Sequence, residues 1–277
     1  MSRLASVFAG LHRPALIPFL MAGDPDPERC IPLLRAAARA GDILEVGIPF
    51  SDPIADGPTI QRAGGRALRA GVTVAAALEI VRQVRQTADT PVVVLTYANP
   101  LLQFGVDRFC ARARAAGVDG VVVPDLPVDE ADLLIGSARR ADLDTIFLVA
   151  PTTSDARLAL AARHSRSFLY CVSLTGVTGA RDALPPEAEA LVRRARAVTS
   201  LPVCVGFGIA TPQQAQALGR VADGVIVGSA LVEAAERATD PVGAVEDLLG
   251  RLRGSLAAVS RGGPPLSGPA PPPDATG

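Results

Sequence analysis

The sequence predicts an α/β fold, a single-domain (β/α)8 TIM barrel, on three observations. Short aliphatic runs alternate with Ala/Arg/Leu-rich segments of helical periodicity along nearly the whole chain. Eight such runs occur, and strand–helix alternation means parallel strands joined by crossover helices. The 277 residues, 49% of them hydrophobic, suffice for one substantial core at a length where barrels fold as single domains. An open doubly wound sheet is the alternative, but no GxGxxG follows the first strand to support it.

The strands, in order, are ALIPFLMA (15–22), ILEVGIP (43–49), PVVVLTYA (91–98), GVVVPDL (120–126), TIFLVAP (145–151), SFLYCVS (167–173), PVCVGFGI (202–209) and DGVIVGSA (223–230). Between them PERCIPLLRAAARA (27–40) and VDRFCARARAAG (106–117) exemplify the helices. Gly41, Gly71 and Gly117 stand where a left-handed residue closes a helix. The barrel is placed over residues 1–261. The remaining 262–277, GGPPLSGPAPPPDATG, is Pro/Gly-rich with almost no large apolar side chains, and disorder is expected there.

Composition narrows the function. The net charge is −1, with 27 basic and 28 acidic residues and no basic stripe with interleaved aromatics, so nucleic acid is not an expected partner. No apolar run approaches the ~20 residues of a membrane span. The opening MSRLASVFAGLHRP lacks the apolar core and cleavage site of a signal peptide, so a soluble cytoplasmic protein is expected. Cys30, Cys110, Cys171 and Cys204 are scattered without a CxxC and read as buried free thiols. The two histidines, His12 and His164, lack ligand spacing, so neither a metal site nor a Ser-His-Asp triad is expected.

The chemistry concentrates in LEVGIPFSDPIADGP (44–58). Strand alternation sends Leu44, Val46 and Ile48 to the helix layer and Ile43, Glu45 and Gly47 into the barrel. Glu45 then projects toward the C-terminal mouth, where barrels carry active sites. An inward Lys or Arg partner would make it structural, but the eight strands hold no basic residue. In the following loop Asp52 looks like a turn residue. Asp56 is either the cap of a helix beginning at Pro58 or part of the chemistry. Late in the chain, VGFGIATP and VGSALVEA put small residues at helix starts after the seventh and eighth strands, a donor-rich arrangement suited to phosphate. TGVTGARD (175–182) suits a mobile lid. The residues alone thus describe a barrel enzyme with a buried carboxylate acting on a phosphorylated small molecule.

The string LEVGIPFSDPIADGPTIQ resembles the signature of the tryptophan synthase alpha subunit family. PFLMAGDP, YANPL, PDLPVDE, SLTGVTGAR, GFGIATP and GSALVE match too, in the family's order, over roughly residues 3–258. The resemblance implies a lyase of tryptophan biosynthesis that cleaves indole-3-glycerol phosphate to indole and glyceraldehyde 3-phosphate by a retro-aldol reaction, with no cofactor in this chain. It assigns Glu45 and Asp56 as catalytic and Tyr170 as the tyrosine beside the glutamate. Phe19, Leu95 and Tyr97 match positions lining an indole pocket, and Gly179, Gly208, Gly228 and Ser229 match phosphate-binding positions. Thr178 matches a lid threonine. It further implies a pyridoxal-phosphate-dependent beta subunit as partner, in an α2β2 complex docked through the 52–60 and 175–182 loops. Leu174 departs from the family pattern, where many members carry Arg. Three other readings remain: a different phosphate-binding barrel, a free-standing indole-releasing lyase, and a non-catalytic activator of a pyridoxal-phosphate enzyme.

Overall fold

The computed structural model describes residues 1–172, 186–206 and 208–259. The expectations for the 262–277 tail, Leu174, Thr178 and Gly179 lie outside the described residues. Among the described residues are nine parallel strands: β1 Ala15–Met21, β2 Leu44–Gly47, β3 Val92–Leu95, β4 Gly120–Val122, β5 Asp144–Ile146, β6 Leu148–Val149, β7 Leu169–Val172, β8 Val203–Gly206 and β9 Gly224–Val227. Their spatial order is β5-β4-β3-β2-β1-β9-β8-β7-β6.

The ninth strand is a division of the predicted fifth. Phe147 alone separates β5 from β6. Below it, Asp144 pairs with Gly120 of β4; above it, Leu148 pairs with Tyr170 of β7. The Tyr170 N–H donates to the Phe147 carbonyl at 3.2 Å, so the two ends of the order meet and the ring closes over eight strand positions. β1 changes partner in the same way, Ala15–Pro18 facing β9 and Phe19–Met21 facing β2. Both faces of these strands are covered, which is why they read as almost unbroken aliphatic runs.

Local signals place the helices. Asp26 caps Pro27–Ala40 with proline in its first turn, Thr73 caps Val74–Arg85, and Thr211 with Gln214 forms a capping box on Pro212–Gly219. Gly71 and Gly117 adopt the expected left-handed conformation at φ +81 and +87. Gly41 does not: its φ is −88, and it is glycine because a Cβ there would stand 2.5 Å from the Pro18 ring.

The floor of the barrel holds features that the sequence pattern did not reveal. Helix Arg3–Gly10, capped by Ser2, inserts Leu4 and Phe8 beneath the strands, with Phe8 against the Phe168 ring at 5.7 Å. Three aspartates just before strands each accept an amide at the start of a neighbouring strand: Asp42 from Leu16 at 2.8 Å, Asp119 from Val92 at 2.9 Å and Asp223 from Val203 at 2.9 Å. Each is joined by an arginine, respectively Arg13, Arg3 and Arg196. The four cysteines are buried and none forms a disulfide. No helix among the described residues is long and apolar enough to cross a membrane.

Candidate active site at the barrel mouth

Parallel pairing puts registered residues on one face. Phe19, Glu45 and Val93 register across β1, β2 and β3, and Leu148, Tyr170 and Cys204 across β6, β7 and β8. Glu45 is 2% exposed and meets Tyr170 from the opposite side of the ring, the phenol donating to Glu45 Oε2 at 3.5 Å. That is the long limit of a hydrogen bond. Glu45 Oε1 has no partner among the described residues. No basic group among the described residues acts on this carboxyl, so none of them makes Glu45 half of an ion pair.

Glycines fit the two aromatic rings into this layer. A Cβ on Gly47 would lie 2.6 Å from the Phe19 ring, and one on Gly228 3.1 Å from it. A Cβ on Gly206 would lie 3.0 Å from the Tyr170 ring and 3.1 Å from its hydroxyl. Gly47 is therefore small because Phe19 lies across it, rather than to leave open space.

Asp56 hangs over the layer from the β2 loop. The helix after it, Pro58–Arg69, has Gly57 at its cap position and no side-chain cap bond, so Asp56 is not the cap. Its carboxylate is hydrogen-bonded to Tyr97. The Tyr97 hydroxyl also accepts the Ala55 N–H at 3.2 Å, and the ring packs on Phe50 at 5.4 Å. Burial, reinforced by the charge of Asp56, pushes Glu45 up to about 8 against the opposing Tyr170 bond. Burial raises Asp56 to about 6, with the Tyr97 bond opposing. Burial and the nearby carboxylates push the Tyr97 and Tyr170 phenols up, keeping both protonated. Two carboxyls separated in this way have different charges near neutrality: Glu45 mostly protonated, Asp56 mostly ionised.

Across the mouth, helix Ser229–Arg237 begins at Gly228 with no side-chain cap, and Gly208 turns at φ +65. The first amides of such a helix are donors suited to an anion. A cavity of about 190 Å3 joins these parts, bounded by Phe19, Asp56, Leu95, Tyr170, Gly208 and Gly228. Ser229 also lines it. Tyr97 and Glu45 do not; Tyr97 reaches the site through Asp56, and Glu45 through the Tyr170 hydroxyl. Leu148, Val172, Gly206, Ile209 and Ile226 also line the cavity, as do Ala55, Ile60 and Pro124, and these were missed from sequence. Of these, Leu148, Val172, Gly206 and Ile226 lie on strands, and the same alternation that singles out Glu45 would have found them: Val172 is two residues from Tyr170 and Ile226 two from Gly228. No group of three or more His, Cys, Asp or Glu able to hold a metal occurs among the described residues.

Comparison with known proteins gives a consistent result. The family model for the tryptophan synthase alpha chain matches residues 8–257. The chain is 53% identical to the tryptophan synthase alpha chain of Gluconacetobacter diazotrophicus over 267 residues, covering 94% of this chain and 97% of the relative. It is 48% identical to that of Acidiphilium cryptum over 272 residues, covering 95% and 98%. Among solved structures, tryptophan synthase from Mycobacterium tuberculosis superposes with a TM-score of 0.86 at 42% identity, covering 92% of this chain and 98% of that one. The alpha subunit from Legionella pneumophila gives 0.86 at 40% identity, covering 94% and 100%.

Proposed function

The chain belongs to the tryptophan synthase alpha chain family, and from that premise we propose that it cleaves indole-3-glycerol phosphate to indole and glyceraldehyde 3-phosphate in tryptophan biosynthesis. The observation that carries this reading is a pair of carboxyls at the mouth: half-buried Asp56, raised to about 6, lines the cavity, and buried Glu45, raised to about 8, stands behind its Tyr170 wall.

Cleavage of the bond between indole C3 and the glycerol chain needs a proton on C3 and removal of one from the adjacent hydroxyl. Protonated Glu45 gives the first proton and, as carboxylate, takes the second, returning to its starting state. Its Oε1 has no partner among the described residues and so has a lone pair or proton available for this step. Ionised Asp56 accepts the indole N–H and stabilises the positive charge that C3 protonation places on the ring. Phe19 and Leu95 enclose the ring, and the amides around Gly208, Gly228 and Ser229 bind the phosphate. Thr178 and Gly179 would complete the closed site from the lid. The chain contains no lysine, which removes imine formation as a route to carbon–carbon cleavage.

The same absence bears on the cofactor. Pyridoxal phosphate is held covalently by a lysine, so it belongs to the beta subunit proposed as partner in an α2β2 complex, while this chain works without a cofactor. Docking through the 52–60 loop fits the 83% exposure of Ile54. A cytoplasmic location fits this metabolic role. The deciding measurement is indole release from indole-3-glycerol phosphate by the purified chain, with and without a beta subunit. Slow release that rises with the partner supports the whole reading; fast release alone identifies a free-standing lyase; none under either condition refutes it.

A further inference from the structure

We propose that Arg66, Thr59, Glu233 and Glu236 form a positioning seam that couples occupancy of the anion-binding end of helix Ser229–Arg237 to the placement of Asp56; this rests on the phosphate reading of that helix end. The two helices that flank the mouth meet through side chains whose bonds have direction. Thr59 Oγ1 donates to Glu233 Oε1 at 2.9 Å, and Arg66 Nη1 donates to Glu236 Oε1 at 2.9 Å. Arg62 adds a looser pairing with Glu236 at 3.6 Å. Thr59, Arg62 and Arg66, three and four residues apart, share one helix face, as do Glu233 and Glu236.

The seam lies close to both ends of the site. Thr59 is three residues beyond Asp56, and the Gln61 side-chain amide donates to the Asp56 carbonyl at 2.9 Å, tying the loop to this helix. Glu233 is one turn beyond Ser229. Arg66 also grips Asp24 with two parallel bonds of 2.6 and 3.0 Å, and Asp24 follows the strand that carries Phe19. One guanidinium thus joins the elements holding the aromatic wall, the aspartate and the anion site. Thr59 is buried, and Arg66 and Asp24 are only 23% and 12% exposed at their side chains, so water competes weakly at that end, while Glu233 and Glu236 are 35% and 37% exposed. An apolar contact would let the helices slide; paired carboxylate bonds fix their register. A shift of the helix when an anion binds its N-terminus is carried through Glu233 and Glu236 to the base of the Asp56 loop.

The test uses the full chain and inorganic phosphate as probe. Hydrogen exchange of the 52–57 amides and phosphate affinity are measured in the parent, in the double variant Thr59→Val/Glu236→Gln, and in Arg66→Lys, which keeps the charge but loses the fork. The expected result is slower loop exchange with phosphate in the parent, and unchanged phosphate affinity with that protection lost in the double variant and weakened in Arg66→Lys. In turnover, kcat of the double variant falls about tenfold with little change in KM, the signature of a misplaced group rather than a lost binding contact. Arg66→Lys carries the test if the double variant does not fold. Protection retained in folded variants, or phosphate binding by the parent with no protection of the loop, overturns the seam. Failure of the parent to bind phosphate overturns the phosphate reading itself, and the seam with it.

Discussion

A carboxyl group with no cation beside it titrates late, and among the described residues the polar groups that act on Glu45 are a phenol and another carboxyl. Two consequences belong to this residue. The proposed mechanism requires Glu45 protonated and Asp56 ionised, so kcat/KM should rise through about pH 6 and fall through about pH 8. Glu45→Gln removes the proton donor and lowers kcat by roughly 10^2–10^4; turnover at parental rate would remove Glu45 from the mechanism. The second consequence concerns stability. The folded value near 8 exceeds the unfolded value near 4.5, so the folded state holds the proton longer. Stability is lost as pH rises through that window, and the glutamine variant, which never ionises, escapes the loss. Melting curves should coincide for parent and variant near pH 4. By pH 9 the variant should be the more stable, by on the order of a few kcal/mol at most. Parallel curves at both pH values would show that burial does not penalise the charge.

At the scale of elements, the strand alternation was fully legible, and it aimed Glu45 inward before any coordinates. The glycines were legible only in part. Gly71 and Gly117 follow a local rule for closing helices, whereas Gly41 and Gly47 are small because Pro18 and Phe19, on a neighbouring strand, lie against them. A contact made by a distant segment leaves no local pattern. The division of the fifth strand at Phe147 was hidden for the same reason, since it records a change of partner and not a change of propensity. Helix Arg3–Gly10 did carry signals, a serine cap and the Leu4–Phe8 spacing, in a stretch too short to stand out. Gly47→Ala should displace the Phe19 ring, costing about 1–3 kcal/mol and reducing indole release. Gly208→Ala should cost about 1–2 kcal/mol through its positive φ and weaken phosphate binding. A denaturant titration and a KM for each variant check both; unchanged values would mean the strands yield freely.

Across the whole molecule, the floor and the mouth divide their tasks. Leu4 is fully buried under β4 and remote from the cavity. Leu4→Ala should lower unfolding free energy by about 2–5 kcal/mol while kcat at moderate temperature stays at the parental value. A loss of activity without a loss of stability would show that the floor shapes the mouth. β1 and the divided fifth strand, where the ladders change partner, stand four positions apart in a ring of eight, and so face each other. They divide the wall into two arcs. Glu45 belongs to one arc and Tyr170 to the other. The 3.5 Å separation between phenol and carboxylate spans those two arcs, so a small change in the wall's curvature would alter the acidity of the carboxyl proposed to break the bond.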